Sequence, residues 1–343
     1  MYRYINLLLI FVFALFLSSC ETDFNPNAEY KDITVVYGVL NQSDTFTYIK
    51  INKAFLGNES AYVMAQNEDM SSYGTDLEVR MEEMLNGSVT NTFYFDTTTV
   101  YNKESGVFYA PKQVLYRCKT YNPEPPIRDS LKPDREYKLI IKNTKTGKII
   151  SAKTTLVGKF YIDIPTQYAY RIEFITTGSQ TVEWRSATGG KKYQVNMRIN
   201  YFESLNDTSH YQSKHINVPL GTITRTTLES GTTMELKYNG ITYYETLKNN
   251  LAHNDPSAPQ KFFRKTDKIE FTINVAGDDL STYIDVNAPS NSIVQVRPEF
   301  TNISNGIGIF SARYNNAIDN PRTPYLGSAS ITILKTNYPT LGF

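Results

Sequence analysis

Residues 192–201 read Lys192-Tyr193-Gln194-Val195-Asn196-Met197-Arg198-Ile199-Asn200-Tyr201. Tyr193, Val195, Met197, Ile199 and Tyr201 stand at every second position, and the residues between them are polar. Successive side chains of a strand point to opposite faces, so this alternation predicts a β-strand with one buried face. A helix would send the same five side chains to opposite sides. Just before it, Gly189-Gly190 predicts a turn, and Gln180-Thr181-Val182-Glu183-Trp184 a strand carrying the only tryptophan. That tryptophan reads as core rather than as a ligand platform.

Period 2 recurs along the chain. In the first half it marks Ile33 to Leu40, Thr45 to Lys53, Asp76 to Met84, Thr92 to Asp96, Gly106 to Tyr109 and Val114 to Cys118. Asn86-Gly87 and Ala110-Pro111 separate neighbouring runs as turn dipeptides. In the second half, His215 to Leu220, Thr222 to Thr227, Thr233 to Tyr238 and Ile269 to Val275 read as strands. The period changes twice. Ile241, Tyr244, Leu247 and Leu251 fall at helical spacing, predicting a short helix over 241–251 stopped before Asp255-Pro256. Gly277-Asp278-Asp279 predicts a second short helix over 279–286 with an aspartate cap rather than a metal site.

Composition agrees. Of 343 residues, 26 are tyrosine and 18 phenylalanine, types that suit pleated, half-buried surfaces. The first twenty residues are of another kind. Met1-Tyr2-Arg3-Tyr4 precedes an apolar run from Ile5 to Leu17 broken only by Asn6, and Ser18-Ser19-Cys20 follows. A basic start, a short apolar run and small residues before the cut describe a secretory signal, too short to span a bilayer. Leu17-Ser18-Ser19-Cys20 resembles the bacterial lipobox. The resemblance implies cleavage after residue 19, lipidation at Cys20 and a lipidated tether over 20–32. Glu21 and Asp23 resemble the acidic export signal of surface lipoproteins of Bacteroidota. The expected location is therefore the outer membrane, lipid-anchored, and the cell surface rather than the periplasmic face.

Removing residues 1–19 takes away only Arg3, leaving 34 basic residues against 34 acidic ones. Such balance gives no electrostatic footprint for nucleic acid. With Cys20 acylated, Cys118 has no partner in the chain and reads as an inert thiol in a strand.

Leu131-Lys132-Pro133-Asp134-Arg135-Glu136-Tyr137 resembles the corner of fibronectin type III and related Ig-like domains. There a leucine packs under the turn and a tyrosine hydroxyl bonds back to the backbone; Leu131 and Tyr137 match those positions. The implied architecture is mostly β: an N-terminal Ig-like, fibronectin-like β-sandwich over 33–157, then a second β-rich domain over 158–343. Trp184 and the strand after Gly189-Gly190 again resemble a fibronectin-like core hairpin.

The stretch Asn302-Ile303-Ser304-Asn305-Gly306-Ile307-Gly308-Ile309-Phe310 is similar to the late signature of an uncharacterised family of Bacteroidota outer-membrane lipoproteins. Val36-Tyr37-Gly38-Val39-Leu40 and Lys53-Ala54-Phe55-Leu56 also look familial. The resemblance implies a lipoprotein of the cell envelope working beside a TonB-dependent transporter, with no established activity. From the residues alone, Gly306 and Gly308 predict a bulge or tight turn rather than a phosphate loop, since no helix pattern follows and the Lys-Ser/Thr ending is absent.

His210, His215 and His253 have no metal-ligand spacing, no Gly-x-Ser-x-Gly elbow occurs, and carboxylates are scattered singly. No catalytic residue, cofactor or metal is expected. Three functions are weighed: a binding or accessory protein at the outer membrane, a glycan-binding lipoprotein using exposed tyrosines, and a hydrolase with a dispersed site.

Overall fold

The computed structural model describes residues 33–54, 59–121, 130–166, 168–289, 299–317 and 323–343. The expected signal segment and tether, with Cys20, lie outside the described residues, as do Phe55 and Leu56. Strands hold 47% of the chain and helices 15%, so the mostly-β expectation stands.

The first half contains β1 (Thr34–Leu40), β2 (Phe46–Lys53), α1 (Ala61–Ala65), α2 (Glu68–Ser71), β3 (Leu77–Leu85), β4 (Ser88–Tyr94), β5 (Asp96–Val100), β6 (Gln113–Lys119), β7 (Glu136–Asn143) and β8 (Ile149–Thr155). One layer runs β1-β2-β6-β5, the other β4-β3-β7-β8. With β4 set aside and the rest lettered in chain order, the layers are ABED and CFG, an order found in immunoglobulin-type sandwiches. Val36, Leu40, Ile49 and Ile51 from the first layer share a core with Val79, Met81, Leu139 and Ile141 from the second. At the corner, Leu131 is buried and the Tyr137 hydroxyl accepts from the Lys132 backbone N–H at 2.6 Å. The same hydroxyl donates to Glu83 Oε2 at 3.2 Å.

The second half contains β9 (Ile162–Ile164), β10 (Arg171–Ile172), β11 (Ser179–Arg185), β12 (Lys192–Leu205), β13 (Gln212–Thr224), β14 (Thr233–Asn239), α3 (Ile241–Asn250), β15 (Phe262–Ala276), α4 (Asp278–Asn287), β16 (Gly306–Ala317), β17 (Tyr325–Leu326) and α5 (Ser328–Asn337). The alternating stretch 192–201 lies in β12, with Tyr193, Val195, Met197 and Ile199 all buried. It lies between β13 and β15, antiparallel to both. A three-stranded sheet, β14-β11-β9, covers this buried face. Contact is made through Trp184 against Tyr193, ring centroids 5.9 Å apart, and Tyr238 against Phe271 at 6.2 Å.

One strand belongs to both halves. The first part of β16 runs parallel to β1, Thr34 opposite Gly306 through Leu40 opposite Ala312. Its last part turns to β15, with Arg313 opposite Ala276 and Ala317 opposite Thr272. A single sheet therefore crosses residue 157.

Several local expectations need correction. Residues 106–109 form no strand; the Gln66 side-chain amide donates to the carbonyls of Gly106 and Val107 and holds them in a loop. The strands expected over 215–220 and 222–227 merge into one, β13, which stops at Thr224 and whose pairing with β12 shifts register beside Gly221. Trp184 and β12 form no hairpin, because β11 and β12 lie in different, facing sheets. The N-cap of α4 is Gly277, not an aspartate, and Asp278 and Asp279 sit in its first turn. Beyond α3 and α4, the second half holds a third helix, α5.

Candidate functional site

Where β1 ends at Leu40, β16 changes partner and the two halves of its sheet part. The gap is a cleft of about 740 Å³, within the ~300–1,000 Å³ range of small-molecule sites. Its floor is Asn274 and Ala276 of β15 with Tyr314 and Asn315 of β16. Gln194 and Lys192 of β12 form one wall, the turn after β1 another, and Leu280 and Ile284 of α4 an apolar lip.

Each wall is held by its own bonds. In the turn, Asn41 Nδ2 donates to Asp44 Oδ1 at 2.8 Å and the Ser43 N–H donates to Asn41 Oδ1 at 3.2 Å. The helix α4 is fixed to β16 by Gly277 N–H to the Ala312 carbonyl (2.9 Å) and Leu280 N–H to Ser311 Oγ (3.2 Å). Asn302 completes the joint. Its amide exchanges two bonds with the Phe310 backbone, at 2.7 and 2.9 Å, and donates to Asp279 Oδ2 at 2.8 Å. Asn305 is left-handed (φ 60°) and donates to the Ile149 carbonyl. Gly308 is at φ +112°, where a Cβ would lie 2.0 Å from the Val36 oxygen. The late Asn-Gly-Gly signature thus builds a strand that approaches its neighbour unusually closely; it is no phosphate loop.

Charges at the cleft occur in opposite pairs. Arg313 Nη2 faces Asp44 Oδ2 at 3.8 Å, and Lys192 bonds Asp285. On the rim Lys191 meets Asp278 at 3.3 Å. Asn315 donates to the Asn274 side chain across the strands. Burial raises the pKa of the half-buried Tyr314 hydroxyl, and a hydrogen bond with Ser43 opposes that rise. The arrangement suits a polar ligand of low net charge: amides and hydroxyls both donate and accept, and the ion pairs leave little uncompensated field.

The residues weighed for chemistry are dispersed. His253 has both ring nitrogens engaged, with Thr340 Oγ1 at 2.9 Å and the Lys248 carbonyl at 2.8 Å. His210 sits in an exposed turn with Ser209 and Asp207. The Ser209 hydroxyl is 2.8 Å from His210 Nδ1, and Asp207 lies 3.6 Å from the same nitrogen. A catalytic triad needs the imidazole between nucleophile and acid, one on each nitrogen; here both crowd one. Hydrogen bonds from Ser209, then from His210, hold Asp207 far below the usual carboxylate range, as a turn-forming acceptor. Cys118 is half-buried rather than fully buried, and burial, then the nearby Asp96 charge, push its thiol pKa up, away from the reactive thiolate. Trp184 is fully buried. Among the described residues no three His, Cys, Asp or Glu side chains gather as a metal site. The exposed tyrosines lie outside the cleft. Tyr170 and Tyr325 pair at 5.9 Å, but their planes are 53° apart and do not make a flat platform.

Sequence reasoning missed the cleft, because its walls come from four strands, a turn and a helix spread from Asn41 to Asn315. The local signal was the late signature, which locates the β16 joint but not what opens beside it. No protein-family model matches the chain, and no curated protein matches it either.

Proposed function

We propose that the chain is a lipid-anchored binding or accessory protein of the outer membrane, working beside a TonB-dependent transporter or in a similar envelope assembly, and not an enzyme. The observation that carries this is Leu17-Ser18-Ser19-Cys20 closing a short apolar run. Diacylation of the thiol and acylation of the new amine would fix the chain to a bilayer, since stable anchoring takes two lipid signals. The late Asn302 to Phe310 signature supports the same reading. Crosslinking in intact outer membranes followed by purification should recover the protein bound to a barrel-forming partner. Recovery of the crosslinked protein alone would count against the accessory role.

A second reading, glycan binding, is favoured by the cleft. Paired charges, side-chain amides at Gln194, Asn274 and Asn315, and the Tyr314 ring resemble the surroundings that neutral sugars use. Calorimetric titration with maltotriose, xylotriose and chitotriose tests it. Binding of one of them, weakened at least tenfold by Asn274→Ala, is expected, a loss of about 1.4 kcal/mol; flat heats for all three would remove it. The third reading, a hydrolase with a dispersed site, would need a base placed against a nucleophile in this cleft.

A further inference from the structure

The end of the first sandwich where the chain enters the fold carries an unusual surface. The Ile33 carbonyl accepts from Ala54 N–H at 2.9 Å, placing the start of β1 beside the end of β2. The register of β2 on β6 and of β5 on β6 brings Val100 and Gln113 to that same end. The loop from 101 to 112 caps it together with α1, tied by Tyr109 N–H to the Ala65 carbonyl at 2.9 Å and by the Gln66 amide to Gly106 and Val107. Six large apolar side chains stand out here: Ile33, Tyr62, Val63, Tyr101, Val107 and Phe108, each between 37% and 70% exposed. Loop tips are ordinarily polar, and grouped exposed apolar residues mark a surface that meets something. Lys103 lies over the Phe108 ring at 5.5 Å and donates to the Tyr109 carbonyl at 2.6 Å.

We infer that this end of the first sandwich docks onto the lipid bilayer, its tyrosines, valines and phenylalanine seated at the headgroup level. The inference rests on the lipid-anchored reading above. Thirteen residues, Cys20 to Asp32, separate the lipid site from Ile33; fully stretched they reach about 45 Å and in any less extended state much less. The tether joins at the apolar end, so that end is held nearest the membrane. The far ends of β1 and β2 stand off by about 23 Å more. Tyrosine with an apolar body and polar tip is the side chain membrane interfaces favour, and a lysine laid along an aromatic ring can keep its charge in water. Lys112 is paired with Glu68 at 3.0 Å, and in the adjoining segments Lys53 and Lys103 are matched in number by Glu59 and Glu104, so the contact is apolar rather than electrostatic and insensitive to salt.

The test uses the full lipidated chain in a Cys118→Ser background, reconstituted into phosphatidylethanolamine–phosphatidylglycerol vesicles. An environment-sensitive fluorophore is attached through Val107→Cys, or through Ser88→Cys at the β3–β4 turn on the opposite end. Retention of the parent's thermal unfolding midpoint shows that each labelled chain is folded. On reconstitution the label at 107 should shift to the blue and lose iodide quenching several-fold, at low and high salt alike, while that at 88 stays unchanged. A label at 107 as wet as the one at 88 overturns the docking, as does an equal shift at both positions. So does protection at 107 that grows with protein concentration without vesicles, which would make the face a contact between copies. Intact mass separates the two claims: a chain without acyl groups sinks anchoring and docking together, whereas an acylated chain with a wet label at 107 sinks the docking alone.

Discussion

A methyl group on Gly308 would lie 2.0 Å from the Val36 oxygen, in a backbone region that side chains rarely adopt. Gly231 also has positive φ, +87°, but a Cβ there would meet nothing within 4 Å. Gly308→Ala should therefore cost about 3 kcal/mol or more and Gly231→Ala about 1 kcal/mol. Urea unfolding measures both, and equal costs would mean that the close approach of β16 to β1 is not real. Tyr137→Phe removes a hydroxyl that accepts from Lys132 N–H and donates to Glu83, a carboxylate only 1% exposed. A loss of about 1–2 kcal/mol is expected, with Glu83 left short of a donor. Both residues were legible in the sequence, Tyr137 through its spacing from Leu131 and Gly308 through its place beside an apolar strand. The atoms they meet were not, because Val36 and Glu83 are far away along the chain.

Among the elements, α5 was the hardest to read. Its sequence, Ser328-Ala329-Ser330-Ile331-Thr332-Ile333-Leu334-Lys335-Thr336-Asn337, is rich in β-branched residues that disfavour helices. What holds its first turn comes from elsewhere. Glu173 accepts from Ser330 N–H and Ser330 Oγ at 2.8 Å each and from Ala329 N–H at 3.2 Å. Burial alone would raise the Glu173 pKa, but these bonds outweigh it and the net shift is downward. A carboxylate with a lowered folded pKa contributes stability above its unfolded value, 4.5 here, which is lost as pH falls through the folded pKa. Unfolding midpoints should thus drop below pH 4.5, and Glu173→Gln should reduce that drop while lowering stability at pH 7. An unchanged acid profile in the variant would remove Glu173 as the cause. A second remote tie sits at Arg264, 4% exposed, which bonds Glu203 at 2.6 and 2.7 Å and donates to the carbonyls of Ala252 and Leu341. Arg264→Met leaves Glu203 with Lys214 as its cation but removes the donor to the Ala252 and Leu341 carbonyls, and should cost about 2–3 kcal/mol in chemical denaturation. The strands β2, β3, β11, β12 and β15 were visible because each repeats one period over several residues. The short β10 and β17, and the merging of two runs into β13, depend on neighbours that periodicity does not report.

For the molecule as a whole, the sequence carried the β class through its alternation and its tyrosines. It did not carry the joining of the halves, because parallel pairing of β1 with β16 leaves no mark in either stretch alone. The core is likewise continuous, running from Val36 through Trp184 to Leu341. Scanning calorimetry should accordingly give one heat-absorption peak for residues 33–343, and two well-separated peaks would mean that the shared sheet does not couple the halves. Intact mass should show acyl groups on the mature chain and none on a Cys20→Ala variant, and acyl mass retained in that variant would place the lipid elsewhere. The cleft stayed hidden for the same reason as the shared sheet: it exists only once β16 leaves β1 for β15.

That change of partner also orders events in time. Ribosomes deliver a chain from its N-terminus, so β1 is made long before Gly306 can lie against Thr34. Until then one flank of the first layer offers bare N–H and C=O groups, a template for any stray strand. The newborn protein therefore passes through a sticky interval that ends only when the distant β16 arrives. A chain cut short before β16 would never leave that interval, and its fate would be aggregation or the hold of a chaperone.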